Sequence, residues 1–398
     1  MVETDELFIR DDPIFVNKEL LEINHLPEEG RIVGRDEEIK LLANAVNPAI
    51  FGQSPSNILI YGKTGTGKSL CAKHVSQRLV DAAMGEGVTA AFAYVDCAQD
   101  TTETQAVQTI ASSFNRPERT EINVPDKGIS TATYYKRLWR ILDACYDVVL
   151  IILDEIDKLA DDAILMQLSR AGEAGKLTDC KIGVVGISNK IRYKDRMDER
   201  VKSSLCEREF VFPPYDASQL GEIMEARRDA FREGVLDGGV IPRAAALAAR
   251  EHGDARKAID ILRYAGEIAQ STGAERVQEG FVTDARKRAE TDRFRELIRG
   301  STPHSRYVLH ALTILSLNDS GADGFRTTAI YDVYEEICRQ EGTETLSLRR
   351  VRDLLKEHAF LDIIEQSRHS GGSAEGSYTK HRLLEDSTVV RDVLVDGQ

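Results

Sequence analysis

Five short apolar runs stand out along the chain, at 57–61, 90–95, 148–153, 182–187 and 209–212. Each is nearly continuous rather than alternating, the pattern of strands buried on both faces of a parallel sheet. The intervals between them are long enough for crossover helices, which predicts an α/β domain over 31–212. A Pro213-Pro214 pair closes it. No strand pattern recurs from 215 to 295. Helical spacing over 218–234 and 254–270 predicts a small helical domain over 213–295. Charged residues leading to Gly300-Ser301-Thr302-Pro303 read as a linker. Residues 300–398 form a last unit: three helical stretches, then strand-like runs at 361–366 and 377–384 around a Gly/Ser-rich tip. Residues 1–30 are mixed and acidic and read as an N-terminal arm.

Composition narrows the class. A chain of 398 residues, 42% of them hydrophobic, has material for two or three domains with real cores. No run reaches 18 apolar residues and the acidic start has no apolar leader, so neither a membrane span nor a secretory signal is expected, and the cytoplasm is. The six cysteines, at 71, 97, 145, 180, 206 and 338, show no C-x-x-C spacing and read as reduced thiols. The net charge is −14, and only 17 of the 52 basic residues are lysine. That balance suits high salt, and a halophilic source is one reading of it; an ordinary acidic cytosolic protein is the other. Taken over the whole chain, the charge argues against nucleic-acid binding.

The strongest local signal follows the first strand: Gly62-Lys63-Thr64-Gly65-Thr66-Gly67-Lys68-Ser69. This is G-x-x-x-x-G-K-[ST] between a strand and a helix, the context in which backbone N–H groups wrap a phosphate. Lys68 would reach the β- and γ-phosphates of a nucleotide, and Ser69 would ligate Mg²⁺. The strand at 148–153 ends in Asp154-Glu155. Asp154 would support the metal through its water shell, and Glu155 would polarise an attacking water. Asp157 reads as a surface or helix-start charge. The strand at 182–187 ends in Ser188-Asn189, where the amide can hold a γ-phosphate or that water, or simply make a turn. Arg256 falls in the first turn of a helix beginning near Asp254. A cation gains nothing from the dipole there, which points to a phosphate partner; a solvated arginine is the alternative.

Together these residues resemble the AAA+ ATPases over 31–295, with Val33-Gly34-Arg35 ahead of the first helix, Asn189 as sensor 1 and Arg256 as sensor 2. The resemblance implies ATP or ADP with Mg²⁺, and a helical lid after the sheet domain. It implies that Arg35, Tyr215 and Arg227 close over the base; core packing between domains is the alternative for Tyr215. Ser204 stands where many such proteins place an arginine acting on a neighbour's ATP, and Arg200 is the remaining candidate. The stretch 55–68, Arg200-Val201-Lys202-Ser203-Ser204-Leu205 and Phe212-Pro213-Pro214-Tyr215 resemble the archaeal origin-recognition initiators. That family implies slow ATP hydrolysis, origin duplex binding, recruitment of a replicative helicase of the minichromosome maintenance type, further initiator copies on the DNA, a nucleoid-associated location, and a helical insertion at about 99–135.

Ser347 opens a helix in which Leu348, Val351 and Leu355 share one face and Arg349, Arg352 and Lys356 another, with Arg350 between. Three helices and a hairpin make a winged helix, whose third helix would enter the major groove. The wing would bring Arg368, Ser370, Gly371, Gly372, Tyr378 and Lys380 to the duplex. Residues 301–398 hold 11 basic against 16 acidic residues, a net of −5. The cations fall on one face, and binding needs a face rather than a net charge. Two alternatives stay open: a ring-forming AAA+ motor or remodeller, and an ATPase regulator whose winged helix binds protein.

Overall fold

The computed structural model of the chain describes residues 12–22, 32–191, 193–251, 253–361, 363–370 and 377–395. It forms two compact units, 1–285 and 286–398. In the first, β1 (Ile58–Gly62), β2 (Ala90–Asp96), β3 (Val148–Asp154), β4 (Lys181–Ser188) and β5 (Arg208–Phe212) make one sheet in the order β2-β3-β4-β1-β5, all parallel. Alternate side chains enter two cores. Leu59, Tyr61, Val149, Ile151 and Leu153 join one face, and Ile58, Ile60, Val148, Leu150 and Ile152 the other. The uninterrupted apolar runs follow from this, because a strand covered on both sides has no polar face. Helices α1 (Asp36–Val46) and α2 (Lys68–Gly85) supply residues to the second core. Helices α3 (Glu103–Phe114), α4 (Pro117–Thr120) and α5 (Thr131–Cys145) lie between β2 and β3, where the extra helical segment is expected.

The lid holds α6 (Ala217–Glu225), α7 (Val240–Arg250) and α8 (Ala255–Ser271). Two expectations need correcting here. The helix expected over 218–234 stops at Glu225, because Ala230 and Phe231 are taken up by residues 12–22. The Ala230 carbonyl accepts from Val16 N–H at 2.8 Å, and the Phe15 and Phe231 rings lie 5.0 Å apart. For the same reason residues 12–22 are not a free arm: Ile14, Phe15 and Leu21 are buried. Residues 1–11 and 23–30 of that expectation lie outside the described residues.

The charged linker is also corrected, since α9 (Phe281–Arg299) is a continuous helix. It contains no Gly or Pro, and pairs such as Arg286–Glu290 at 3.3 Å support it. In the second unit, α10 (Pro303–Asn318), α11 (Thr327–Gln340) and α12 (Leu348–Phe360) precede the hairpin β7 (Ile364–Ser370) and β8 (Ser377–Leu383). A two-residue strand, β6 (Phe325–Arg326), adds to β8, giving the order β6-β8-β7, and α13 (Ser387–Val395) follows. Neither β6 nor α13 is anticipated by the sequence pattern.

Candidate functional site

The sheet presents its chemistry at the carboxyl ends of β1, β3 and β4, the edge at which ligands bind in open α/β sheets. Beyond β1 the chain turns through Gly65 (φ 73°) and Gly67 (φ 84°) into α2. Only glycine takes both positions without strain. There is also no room for a side chain. A Cβ on Gly65 would collide with the Asp254 carboxylate, and one on Gly67 would meet the Tyr215 hydroxyl. The loop, the lid helix α8 and the β5–lid junction therefore close on one another. They enclose a cavity of about 450 Å³.

Thr64, Gly65, Thr66, Gly67, Lys68 and Ser69 line this cavity on one side, and Asp154, Glu155 and Asn189 on the next. Arg256 and Arg227 enter from the lid, while Ile32, Val33, Tyr215, Ile223 and Ile259 form an apolar end. Lys68 is buried, and its ammonium donates to the Gly62 carbonyl at 2.8 Å, the Lys63 carbonyl at 2.7 Å and Asn189 Oδ1 at 2.8 Å. Burial lowers its pKa to about 8, against the raising influence of Asp154. Asn189 Nδ2 donates to Glu155 Oε1 at 3.1 Å, so this amide bridges the lysine and the carboxylate. Asp154 accepts from the Tyr94 hydroxyl at 2.9 Å and from Glu155 N–H at 2.9 Å. Glu155 adopts φ 52°, a left-handed conformation that costs a non-glycine residue free energy and recurs at functional sites.

Of the remaining expected residues, Tyr215 and Arg227 line the cavity, and Arg35 and Arg200 do not. Arg35 is not among the lining residues; it is 1% exposed and lies behind the wall. Its guanidinium donates to the Thr66 carbonyl at 3.0 Å, to Glu38 at 2.8 Å and to the Pro213 carbonyl, and stacks 3.8 Å over the Tyr215 ring. In this structure Arg35 therefore ties the phosphate loop to the lid junction instead of lining the space expected for the base. Tyr215 takes part in both of its expected roles, packing under Arg35 and lining the cavity. Arg227 sits just past the end of α6, buried, with a guanidinium nitrogen donating to the Ile223 carbonyl at 3.0 Å. Arg200 is exposed near the start of the helix Glu199–Leu205 and does not line the cavity. Gly62 and Lys63 contribute carbonyls rather than lining.

Sequence reasoning passed over several lining residues, two of them close to Asp154. Tyr94 and Lys73 line the cavity, with the Lys73 ammonium 3.3 Å over the Tyr94 ring. Burial, then Asp154, pushes the Tyr94 hydroxyl well above its ordinary range, so it remains a donor. Nothing in the sequence marks Tyr94, because its link to Asp154 depends on the β2–β3 register, which pairs Tyr94 with Ile152. Asp157 falls in the first turn of the 3-10 helix Ile156–Lys158, as the helix-start reading has it, but its side chain is 2% exposed, so the surface reading is corrected.

The donor set fits a nucleotide with its metal: amide-lined glycines and a buried ammonium at one end, apolar walls at the other. Among the described residues no cluster of three or more His, Cys, Asp or Glu could hold a metal alone. Mg²⁺ commonly relies on one or two protein oxygens plus phosphates, and Ser69 with Asp154 would supply them.

In the second unit Arg349, Arg350, Arg352 and Lys356 are exposed on α12, while Val351, Leu354 and Leu355 are buried. Ser347 caps this helix, its hydroxyl accepting from Arg350 N–H at 3.4 Å. Lys356 is held by Asp353 at 3.0 Å, Arg350 lies 4.0 Å from Glu357, and Lys380 pairs with Asp323. The side chains of Arg349, Arg352 and Arg368 have no hydrogen-bond or ion-pair partner among the described residues. Tyr378 stacks on His369 at 5.6 Å and carries the Arg326 guanidinium 3.8 Å above its ring. Ser370 ends β7; Gly371 and Gly372 lie outside the described residues. No described helix is long and apolar enough to cross a membrane.

A parallel sheet with this phosphate loop, acidic strand end and helical lid, followed by a winged helix, defines an AAA+ ATPase. Three family models match: an AAA domain over 52–189, a Cdc6 AAA+ ATPase-type lid domain over 221–287, and a CDC6 C-terminal winged helix domain over 296–393. ORC1-type DNA replication protein 4 of the halophile Halobacterium salinarum is 55% identical over 392 residues, 98% of this chain and 95% of that protein. The ORC1-type DNA replication protein of Thermococcus onnurineus is 42% identical over 363 residues, covering 90% and 86% of the two chains. The solved structure of Aeropyrum pernix ORC1 in complex with DNA matches with a TM-score of 0.85 at 36% identity, covering 97% of this chain and 98% of that one. The chain belongs to the ORC1-type family of DNA replication initiators.

Proposed function

We propose that this protein binds duplex DNA at replication origins under the control of bound ATP or ADP, and brings a minichromosome-maintenance-type helicase to the same site. One observation carries the DNA reading. Arg349 and Arg352 stand exposed on the third helix of a winged helix, their side chains without hydrogen-bond or ion-pair partners among the described residues, inside an acidic unit. The related Aeropyrum pernix ORC1 was solved in complex with DNA, which supports the same reading. Arg350, Arg368, Tyr378 and Lys380 would join through the backbone or the wing. The helicase, further initiator copies and a cytoplasmic, nucleoid-associated location rest on family membership.

At the nucleotide, Lys68 would neutralise the β- and γ-phosphates and Glu155 would orient the attacking water. Asn189 and Arg256 would touch the γ-phosphate from the sheet and lid sides. Arg200 would serve a neighbouring copy. Slow turnover suits a switch: Glu155 is tied to Asn189 and Asn189 to Lys68, so hydrolysis requires this chain of bonds to rearrange.

Footprinting on origin fragments tests the reading. Arg349→Ala or Arg352→Ala is expected to cost about 1–3 kcal/mol on a specific site. Changed sequence preference marks a base contact, and uniform weakening a phosphate contact. A second reading draws on the pairing of Lys356, Arg350 and Lys380 with carboxylates, which leaves a sparse basic face suited to a protein partner. Unaltered footprints in both arginine variants would favour it.

A further inference from the structure

Asp157 lies on the short 3-10 turn Ile156–Lys158 that follows Glu155. Among the described residues, its donors come from three consecutive residues at the end of β4. Oδ1 accepts from the Ser188 hydroxyl at 2.9 Å and from Asn189 N–H at 3.3 Å, and Oδ2 lies 3.1 Å from Lys190 Nζ. Ser188 Oγ in turn accepts from Lys190 N–H at 3.0 Å. Burial alone would raise the Asp157 carboxyl, but hydrogen bonds from Lys190 and Ser188 outweigh it and hold the group below its ordinary range. The carboxylate thus stays charged and keeps its donors.

The turn it grips carries Asn189. That side chain is short, so fixing its backbone N–H and both neighbours fixes where its amide can reach. In this position Oδ1 meets Lys68 at 2.8 Å and Nδ2 meets Glu155 at 3.1 Å. We infer that Asp157 is a positioning residue for ATP turnover, locking the 188–190 turn so that the Asn189 amide stays between the phosphate-loop lysine and the water-orienting carboxylate. Asp157 does not line the cavity and acts only through Asn189. The inference rests on the proposed roles of Asn189 and Glu155.

The test is a double-mutant cycle on the full chain, read by single-turnover ATP hydrolysis and by equilibrium titration with ATP. Asp157→Ala is expected to slow hydrolysis about tenfold or more while ATP affinity stays within about threefold, because misplacement by an ångström suffices for such a loss. Asp157→Asn should fall between, since its amide oxygen still accepts from Ser188 and Asn189 but gives up Lys190. In an Asn189→Ala background, Asp157→Ala should add nothing. Losses that multiply in the double variant would assign Asp157 a merely structural role and overturn the inference. So would wild-type turnover in Asp157→Ala beside an impaired Asn189→Ala; both results leave the site assignment standing. Wild-type turnover in Asn189→Ala removes the assignment of Asn189 and this inference with it. If Asp157→Ala does not bind ATP, Ser188→Ala takes its place in the same cycle, with an expected loss of about twofold to threefold on deleting one hydrogen bond.

Discussion

Replacing Arg35 with alanine separates a scaffold from a ligand contact. The side chain is buried and donates to two backbone carbonyls and to Glu38, whose own side chain is 17% exposed. Hydrogen bonds to a charged group contribute about 1.5–3 kcal/mol each, and stacking a desolvated guanidinium on an aromatic ring about 1–2 kcal/mol. These terms do not add, because burying the charge has its own cost. Breaking a buried pair by deleting one partner typically costs about 3–5 kcal/mol, and that is the loss expected here. It would be a large share of the roughly 5–15 kcal/mol that holds a domain together. The assay is urea unfolding of the nucleotide-free full chain, followed through Trp139 in the first unit, beside Arg35→Met, which retains the apolar stem. Both variants should unfold at lower urea, Arg35→Met less so, before any nucleotide is added. A variant with wild-type stability and a selective loss of ATP affinity would refute the reasoning and return Arg35 to the base-binding role.

Lys68→Ala should abolish ATP binding in an equilibrium titration, since no other described ammonium touches the loop carbonyls of Gly62 and Lys63. Glu155→Gln should bind ATP normally and lose at least about a hundredfold in single-turnover hydrolysis, because an amide cannot polarise water as a carboxylate does. The second unit should weaken in acid through His381, which is buried against the Thr327 hydroxyl at 2.9 Å and pushed down to about 4, by burial and then by Arg352. Above the unfolded value near 6.5 both states are neutral and the contribution is whole. Between about 6.5 and 4 only the unfolded chain takes the proton, so up to about 3 kcal/mol is lost as pH falls. Hydrogen-exchange protection of β7 and β8 should track that window, and His381→Gln should flatten it.

The five strands, the phosphate loop and the acidic strand end were legible because each is a local pattern: a two-sided strand is apolar throughout, and a loop that cradles phosphate needs its glycines. Arg256 lines the cavity and is exposed, so both of its readings, phosphate partner and solvated arginine, stand. What was hidden depends on tertiary pairing. Phe231 leaves its helix to meet Phe15, Tyr94 reaches Asp154 only through strand register, and Asp157 is buried only because the end of β4 folds over it. The contacts of Arg35 were hidden for the same reason, since its carbonyl partners lie 31 and 178 positions away. Helix α9 reads as a linker because charged residues outnumber the few apolar positions it buries, among them Val282, Ala285, Phe294 and Ile298.

The contact between Gly65 and the lid has a kinetic consequence. The Gly65 carbonyl accepts from Ala255 N–H at 3.1 Å, at the start of α8, and Asp254 fills the space a side chain would need. One peptide unit therefore belongs to two machines: its neighbours grip phosphate, while its oxygen is the latch on the door. The lid cannot swing away without either breaking that bond or dragging the loop out of shape. On the proposed reading, release of a nucleotide would require loop and lid to move together, because the bond that closes the lid is made by the loop that would hold the phosphates.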